Sequence, residues 1–543
     1  MGRCLLVLAL LFISVGNFAQ GIRAGVASLS FSDASELDSL QLSLFLINPY
    51  DVPVVIEEIR LYDTFGMEGF SVSDDSLTLP ANGFQKIDVF FHPGQNVFHN
   101  SELVAITKNG LGAIAVDLQG QGTFSLSYYS TTQNLSQQAL KNALKSRISS
   151  GQQSLSYNIG RDRMFMDVDN KRFNGEGAST NTLECVYTGS LVTGYSNRSA
   201  AQNMGFNTEH TYPQSFFAQG LPMRSDIHHL FPTTATSNSQ RSNLPFGLVS
   251  NPSWQQGGSK MGGGVFEPRD KHKGNVARAM LYFVTRYQNY SNFLNSQEAI
   301  LRQWHEQFPP TSIDSQRNEA IFSFQGNRNP FVDYPQLANR ISSISSTSNE
   351  NLIQIDQPYS SISFPDQSVS DTNRFSYVIM NNGRLPVTIS NVQTTSSIFT
   401  LNQPDTTLEA GEDLTMLIQF AHDQPGMYEG AISFDTNVPG QTSQSIPVRG
   451  ELLPATKLSL KETTFALIPR EGQQIYELRL GERVLPIQSV DIKLLDMQGK
   501  EVRFLATQTG ESEFILDLSS LANGHYVLSL KGIGAKMIRK SDQ

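Results

Sequence analysis

Cysteine is nearly absent from this chain: 543 residues hold two, Cys4 and Cys185. So few thiols exclude a disulfide scaffold and a cysteine-ligated zinc cluster. Charge is sparse as well, at 17% of residues against the usual ~25%. What charge there is leans acidic, 40 Lys+Arg against 50 Asp+Glu, for a formal net of −10. Taken over the whole chain, that balance argues against a nucleic-acid partner, because phosphates attract basic surfaces. Long apolar runs are also lacking. The longest, residues 4–13, is too short to span a bilayer, which takes ~20 residues, so no transmembrane helix is expected. The length itself predicts three to five domains at roughly 100–200 residues each.

The apolar run has a different use. Arg3 precedes it, and small and turn residues follow as far as Ala19. A charged start, a short apolar centre and a small residue at the end make the pattern of a secretory signal peptide over 1–19, cleaved after Ala19. The competing reading is a buried N-terminal helix. Removal of the signal takes Cys4 with it, so the exported chain holds Cys185 alone and must be stable without a disulfide.

Residues 20–124 alternate apolar and polar positions in short runs such as 42–47 and 87–91, the pattern of sandwich strands. Residues 352–452 repeat the plan: 48–56 lines up with 382–389, 70–72 with 399–401, and 116–120 with 446–450. Each copy resembles the immunoglobulin-like choice-of-anchor modules of secreted bacterial proteins. That resemblance implies two Ig-like β-sandwiches acting as spacers, or as binding surfaces for a cell-surface or matrix ligand. A smaller β unit follows over 456–543, with a turn at Met497–Lys500, a strand-rich stretch at 516–528 and a basic end at 536–540. Its order resembles the C-terminal sorting domain of the type IX secretion system. This implies handling by that machinery and a location outside the cell or on the outer-membrane surface.

The stretch between the repeats, 126–345, differs in character. It holds both tryptophans, Trp254 and Trp304, and the adjacent pair His228 and His229. Val276, Met280, Phe283, Val284 and Tyr287 recur at helical spacing, which predicts a helix started by Gly274 and Asn275 with its apolar stripe in the core. Ser342 to Asn351, rich in serine and asparagine, reads as the linker to the second repeat.

Three clusters in this stretch carry chemistry: Glu209 and His210 before Pro213; Asp226, His228, His229 and Pro232; and Asn238, Arg241 and Asn243. In an extended strand Glu209 and His210 point to opposite faces, so one metal ion cannot readily take both. Used separately, Glu209 offers an oxygen to a hard cation and His210 deprotonates a water, a task suited to an imidazole near neutral pH. Asn238 adds an amide oxygen. One carboxylate and one amide, with the remaining positions left to water and substrate, suit Mg²⁺. Arg241 and Arg224 are candidates to grip a phosphate through their guanidinium forks. Together these describe phosphodiester hydrolysis. Plainer readings remain: an ordinary surface histidine, a helix-capping asparagine, and His228 or His229 as a structural hydrogen-bonder or zinc ligand.

The order of the clusters, E-H-x-x-P, D-x-H-x-L-x-P and N-x-x-R-S-N, resembles the endonuclease I family of exported bacterial nucleases in the ββα-metal superfamily. Further matches stand at 266–268, 273–279 and 325–331. The resemblance implies an α+β ββα-metal domain with His210 as general base and Glu209 and Asn238 holding Mg²⁺, which Ca²⁺ or Mn²⁺ could replace. Arg224 stands in for the family's transition-state arginine. Charge supports it: 126–345 holds 20 Lys+Arg and 14 Asp+Glu, or 20 − 14 = +6, leaving −10 − 6 = −16 for the rest. The expectation is a multidomain secreted or cell-surface endonuclease that cuts DNA, and RNA as well, with little sequence specificity. The competing functions are a non-enzymatic adhesin, and a zinc hydrolase using His210, His228 and His229.

Overall fold

The structure is a computed structural model of the chain. It describes residues 22–64, 66–108, 111–369, 372–453, 465–469, 475–480, 492–496, 500–510, 513–530 and 534–540. The expected signal peptide with Cys4, and positions 497–499 of the expected turn, lie outside the described residues. Contacts divide the chain into two units: Leu126–Glu350 forms one, and Met1–Ser125 with Asn351–Gln543 forms the other.

The first repeat contains β1 (Leu40–Asn48), β2 (Val54–Asp63), β3 (Gly83–Phe91), β4 (Phe98–Thr107) and β5 (Ala113–Thr123). Alternating apolar positions give each strand a face to bury, and two sheets provide the partner faces. One sheet runs Arg23–Ala24, β1, β3, Phe70–Val72; the other runs Ser28–Ser30, β5, β4, β2, Leu77–Leu79. Leu44, Leu46, Ile87, Val89, Leu103 and Val116 meet in the core between them.

The inserted unit places α1 (Gln137–Ser149), α2 (Tyr157–Arg163), β6 (Phe206–His210), β7 (Leu230–Thr234), α3 (Ala235–Arg241), α4 (Asp270–Arg286), α5 (Glu298–Gln307) and α6 (Ser312–Gln325) in chain order. Helix α4 is its centre. Val276, Met280, Phe283 and Val284 are fully buried, and so are Ala277, Leu281 and Tyr282 on the other sides. The expected stripe is therefore part of a helix enclosed all round. It begins at Asp270, ahead of the expected start at Gly274. Gly274 serves close packing instead, since a Cβ there would collide with the Phe308 carbonyl oxygen. Tyr287 lies just past the last turn.

Strands β6 and β7 pair antiparallel, Glu209 opposite Phe231 and His210 opposite Leu230. Helix α3 follows β7 at once because the Thr234 hydroxyl accepts from the Ser237 N–H and caps its first turn. Residues 206–241 thus make a strand–strand–helix unit. The Ser342–Asn351 stretch differs from the expected linker. Ile344 is buried, Lys141 Nζ donates to the Ile344 carbonyl at 2.9 Å, and the Glu298 carboxylate accepts from Ile344 N at 2.7 Å and Ser345 N at 3.0 Å. The segment is strapped onto the inserted unit.

The second repeat contains β8 (Asn373–Met380), β9 (Val387–Thr394), β10 (Asp413–Phe420), β11 (Gly426–Thr436) and β12 (Ser443–Leu453). Its sheets run β8, β10, Phe399–Thr400 and Ile362–Ser363, β12, β11, β9, Thr406–Leu408. This is the strand order of the first repeat, with the edge strand Arg23–Ala24 reduced to a single antiparallel bridge of Asp356 to Met380. The internal register shifts by one residue from the sequence alignment, because Asn48 corresponds to Asn381 and not to Asn382. Asn48 donates to Leu79 O and Pro80 O and accepts from Tyr50 N. Asn381 donates to Leu408 O and accepts from Gly383 N. Beyond, Phe465–Pro469, Ile475–Leu480, Glu513–Asp517 and Leu505–Gly510 form one small sheet, and Ile492–Leu495, Gly524–Leu530 and Gly534–Lys540 another. Leu478, Leu494, Phe514, Leu516 and Leu528 fill the core they share.

Candidate active site

Glu209 and His210 end strand β6, and its pleat sends them to different surroundings. Glu209 is buried. The Tyr187 hydroxyl donates to its Oε1 at 2.8 Å, and Arg241 Nε stands 2.9 Å from the same oxygen. Burial raises the Glu209 carboxyl above its ordinary value, and the Arg241 charge and the Tyr187 bond offset only part of that. Both partners engage Oε1, which leaves Oε2 for a further ligand.

Arg241 does not grip a phosphate here. It is fully buried: Nη2 donates to Thr211 O at 2.7 Å and Nη1 to Ser242 O at 3.0 Å. With Nε paired to Glu209, the guanidinium faces protein on every edge. The expectation fails because the last turn of α3 packs onto β6, carrying Arg241 inward.

Asn238, one turn earlier on α3, is half-buried and its amide has no hydrogen bond among the described residues. Three residues apart on a helix are surface neighbours, so Asn238 flanks the Arg241 position that meets Glu209. One open carboxylate oxygen and one unbonded amide oxygen make a donor set for a hard divalent cation, with room for water and phosphate to complete it. These residues fit such an ion.

On the other side, His210 is buried except for a small edge. Its Nε2 donates to the Arg224 carbonyl at 3.2 Å, which fixes the tautomer and leaves the Nδ1 lone pair open. Burial first, then the neighbouring His229, holds His210 well below the ordinary imidazole value. The Tyr157 ring lies 5.7 Å away and the His229 ring 5.6 Å.

Arg224 therefore touches His210 through its backbone, while its guanidinium stacks 4.0 Å from the centre of the Tyr157 ring. Arg161 stacks on the same ring at 4.1 Å. Two guanidiniums beside His210 form a cationic face. Sequence reasoning missed Arg161 and Tyr157: they lie some 50 positions before the histidine, on α2, and no motif marks them.

The neighbouring motifs are scaffold. The Asp226 carboxylate is fully buried and accepts from Tyr282 Oη at 2.9 Å, Arg286 Nη1 at 2.7 Å, Tyr287 Oη at 2.9 Å and Gln325 Nε2 at 2.7 Å. Burial pushes its pKa up, but Arg286, then His228 and His229, outweigh that and bring it down to about 2. His228 Nε2 donates to Asn327 O at 3.0 Å and His229 Nε2 to Met223 O at 2.7 Å. Among the described residues, His210, His228 and His229 form no three-ligand cluster, which removes the structural basis for the zinc reading. Cys185 is buried with its thiol against Ser237 Oγ at 3.4 Å.

Comparison with known proteins gives the chain its family. Residues 136–336 match the family described as Endonuclease I, and residues 473–541 match the secretion system C-terminal sorting domain. An extracellular ribonuclease of Bacillus amyloliquefaciens is 31% identical over 236 residues, covering 39% of this chain and 77% of that protein. One from Bacillus subtilis is 30% identical over 238 residues, with the same coverage. An extracellular deoxyribonuclease of Aeromonas hydrophila is 30% identical over 116 residues, 20% of this chain and 50% of that protein. A nuclease with such a sorting domain is secreted or held at the cell surface. The inserted unit thus carries a metal-dependent nuclease, and the chain belongs to the endonuclease I family.

Proposed function

We propose that the chain is a Mg²⁺-dependent endonuclease that hydrolyses phosphodiester bonds in both DNA and RNA with little sequence specificity. The observation that carries this reading is the His210 tautomer. With Nε2–H tied to the Arg224 carbonyl, Nδ1 is the atom that takes a proton from the attacking water, and burial keeps the ring neutral for that task. Glu209 through Oε2 and Asn238 through its amide oxygen would hold the Mg²⁺, with Ca²⁺ or Mn²⁺ as substitutes. A bound ion of this kind supplies stabilisation for negative charge growing on the phosphate oxygens. Arg241 acts as a positioning residue, offsetting part of the cost of burying the Glu209 carboxylate and fixing it in place. Arg224 and Arg161 orient the phosphate through charge and hydrogen bonds.

These groups address phosphate and not base edges, which fits a non-specific enzyme. Relatives named for both ribonuclease and deoxyribonuclease activity support the double substrate. Type IX machinery would export the chain, after removal of 1–19, with 456–543 as its address. We read 20–124 and 352–452 as Ig-like modules that space the 126–345 nuclease from the cell or hold a matrix ligand. The test is cleavage of plasmid DNA and of a structured RNA with Mg²⁺, with and without EDTA, by wild type and His210→Ala. Cleavage that ignores the chelator, or that His210→Ala leaves intact, overturns the proposal.

A further inference from the structure

Strand β4 is buried on both faces, which a single core does not explain. Leu103 and Ala105 face the core of their own sandwich. Val104 and Ile106 face the other way, in a cluster with Tyr62, Ala113 and, from β8 of the second repeat, Val378 and Met380. The two repeats therefore share an apolar seam. By the two-residue period of a strand, Glu102 belongs to the same row as Val104 and Ile106. Asp117 stands directly opposite Glu102 in the β4–β5 ladder, and Asp413 directly opposite Met380 in the β8–β10 ladder. Three carboxylates from three strands thus converge at one end of an otherwise apolar seam.

Their oxygens lie within 4.8 Å of one another. Glu102 is 1% exposed, and among the described residues neither of its oxygens has a hydrogen-bond partner. Like charges facing each other across a ladder are destabilising, and a buried carboxylate without a partner is more so. Burial, with the charges of Asp413 and Asp117 adding, raises the Glu102 pKa well above the carboxylate range; burial pushes Asp413 up to about 6. Asn100, two residues before Glu102 on the same strand face, has a buried Oδ1 without a partner and packs against Gly411 in the turn before β10.

We propose that Glu102, Asp117 and Asp413 are a divalent-cation site, suited to calcium, that clamps the two sandwiches together. All the donors are oxygens, which disfavours zinc. Calcium takes several carboxylates at about 2.3–2.6 Å in adaptable geometry, while Mg²⁺ demands a near-ideal octahedron and usually keeps several of its waters, which suits a cluster of three protein carboxylates less well. An extracellular protein without disulfides gains from such a clamp, because its two halves meet across residues far apart in sequence.

The test uses the full chain, stripped with chelator and exchanged into metal-free buffer. Calcium is titrated calorimetrically into wild type, Asn238→Ala, Glu102→Gln and Asp413→Asn, and each is melted with and without calcium. Calcium binding persists in Asn238→Ala, which separates this site from the nuclease centre. It weakens at least tenfold in Glu102→Gln and Asp413→Asn, while Mg²⁺-supported cleavage stays at the wild-type level. Saturating calcium raises the wild-type melting temperature by several degrees. Unchanged calcium affinity in both variants, or no calcium binding in Asn238→Ala, overturns the proposal. So does a calcium-free Glu102→Gln that melts above wild type when neither responds to calcium, since the trio is then a proton-sharing carboxyl cluster. If Glu102→Gln fails to fold, Asp413→Asn and the wild-type titration decide.

Discussion

Removing Arg241 separates a phosphate-gripping role from the positioning role that the structure assigns to it. Arg241→Ala leaves the Glu209 carboxylate buried with only the Tyr187 hydroxyl as partner, and leaves the Thr211 and Ser242 carbonyls without their donors. Breaking a buried pair by deleting one member costs about 3–5 kcal/mol, because an uncompensated charge stays inside. For a unit of this size each kcal/mol lowers the melting temperature by roughly 2–4 °C, so the nuclease unit should melt about 6–20 °C early. Both tryptophans of the chain, Trp254 and Trp304, lie in that unit, so tryptophan fluorescence follows its unfolding apart from the sandwiches. Below the melt, kcat should fall and the Mg²⁺ requirement should rise, since Glu209 is no longer held in place. Arg241→Lys should recover part of the stability, as it restores charge without the fork. A variant melting within about 1 °C of wild type with only a higher KM for substrate would refute the reasoning and return Arg241 to the phosphate; the threshold is well under the loss expected for a buried pair.

His210→Ala should lower kcat by roughly 10²–10⁴ because it removes the base; single-turnover cleavage, read below the melting temperature of the variant, measures this. Asn238→Ala should raise the Mg²⁺ concentration for half-maximal rate, and an unchanged metal titration would discredit the ligand assignment. Arg161→Ala and Arg224→Ala should each raise KM more than they lower kcat, and more so at low salt, where phosphate attraction is least screened. Acid should weaken the nuclease unit: burial holds His228 and His305 at about 4, below the unfolded value near 6.5. The unfolded chain therefore binds more protons between those values, and stability present above pH 6.5 is lost as pH falls toward 4, on the order of 3 kcal/mol per histidine. Melting His228→Gln across that window should give a flatter pH profile than wild type; equal slopes would show that His228 does not contribute.

Much of the architecture was legible because it rests on local period and repetition. The alternation in 42–47 and 87–91 marks strands whatever they pack against, and the repeat is readable because the same turn is built twice. It slipped by one residue since Asn381 and Asn382 are adjacent and only the hydrogen bonds of Asn381 reveal which one closes the turn. Gly274 misled because glycine marks both helix ends and close contacts, and the Phe308 carbonyl that requires it is remote in sequence. In the site, Glu209 and His210 were legible as a candidate pair because they are neighbours in the sequence and end one strand. What was not legible is direction: a guanidinium three residues from Asn238 can face solvent or protein, and only the docking of α3 on β6 decides. Arg161 depends on α2 bringing Tyr157 beside His210, a contact with no trace in any short motif.

The seam between the repeats also bears on how the chain can be made. The outer row of β4 is complete only when Val378 and Met380 cover it, and Gly112 bridges to Ser376, with the whole nuclease lying between them in the order of synthesis. Contacts so distant in sequence form late and slowly. While the enzyme is still being made, the first sandwich must wait with an apolar strip uncovered, a state open to wrong partners and to chaperones. The natural unit of folding is then the pair of sandwiches, split by more than 200 residues in sequence. A truncation that stops after the nuclease would release an active site on a scaffold that is only half built.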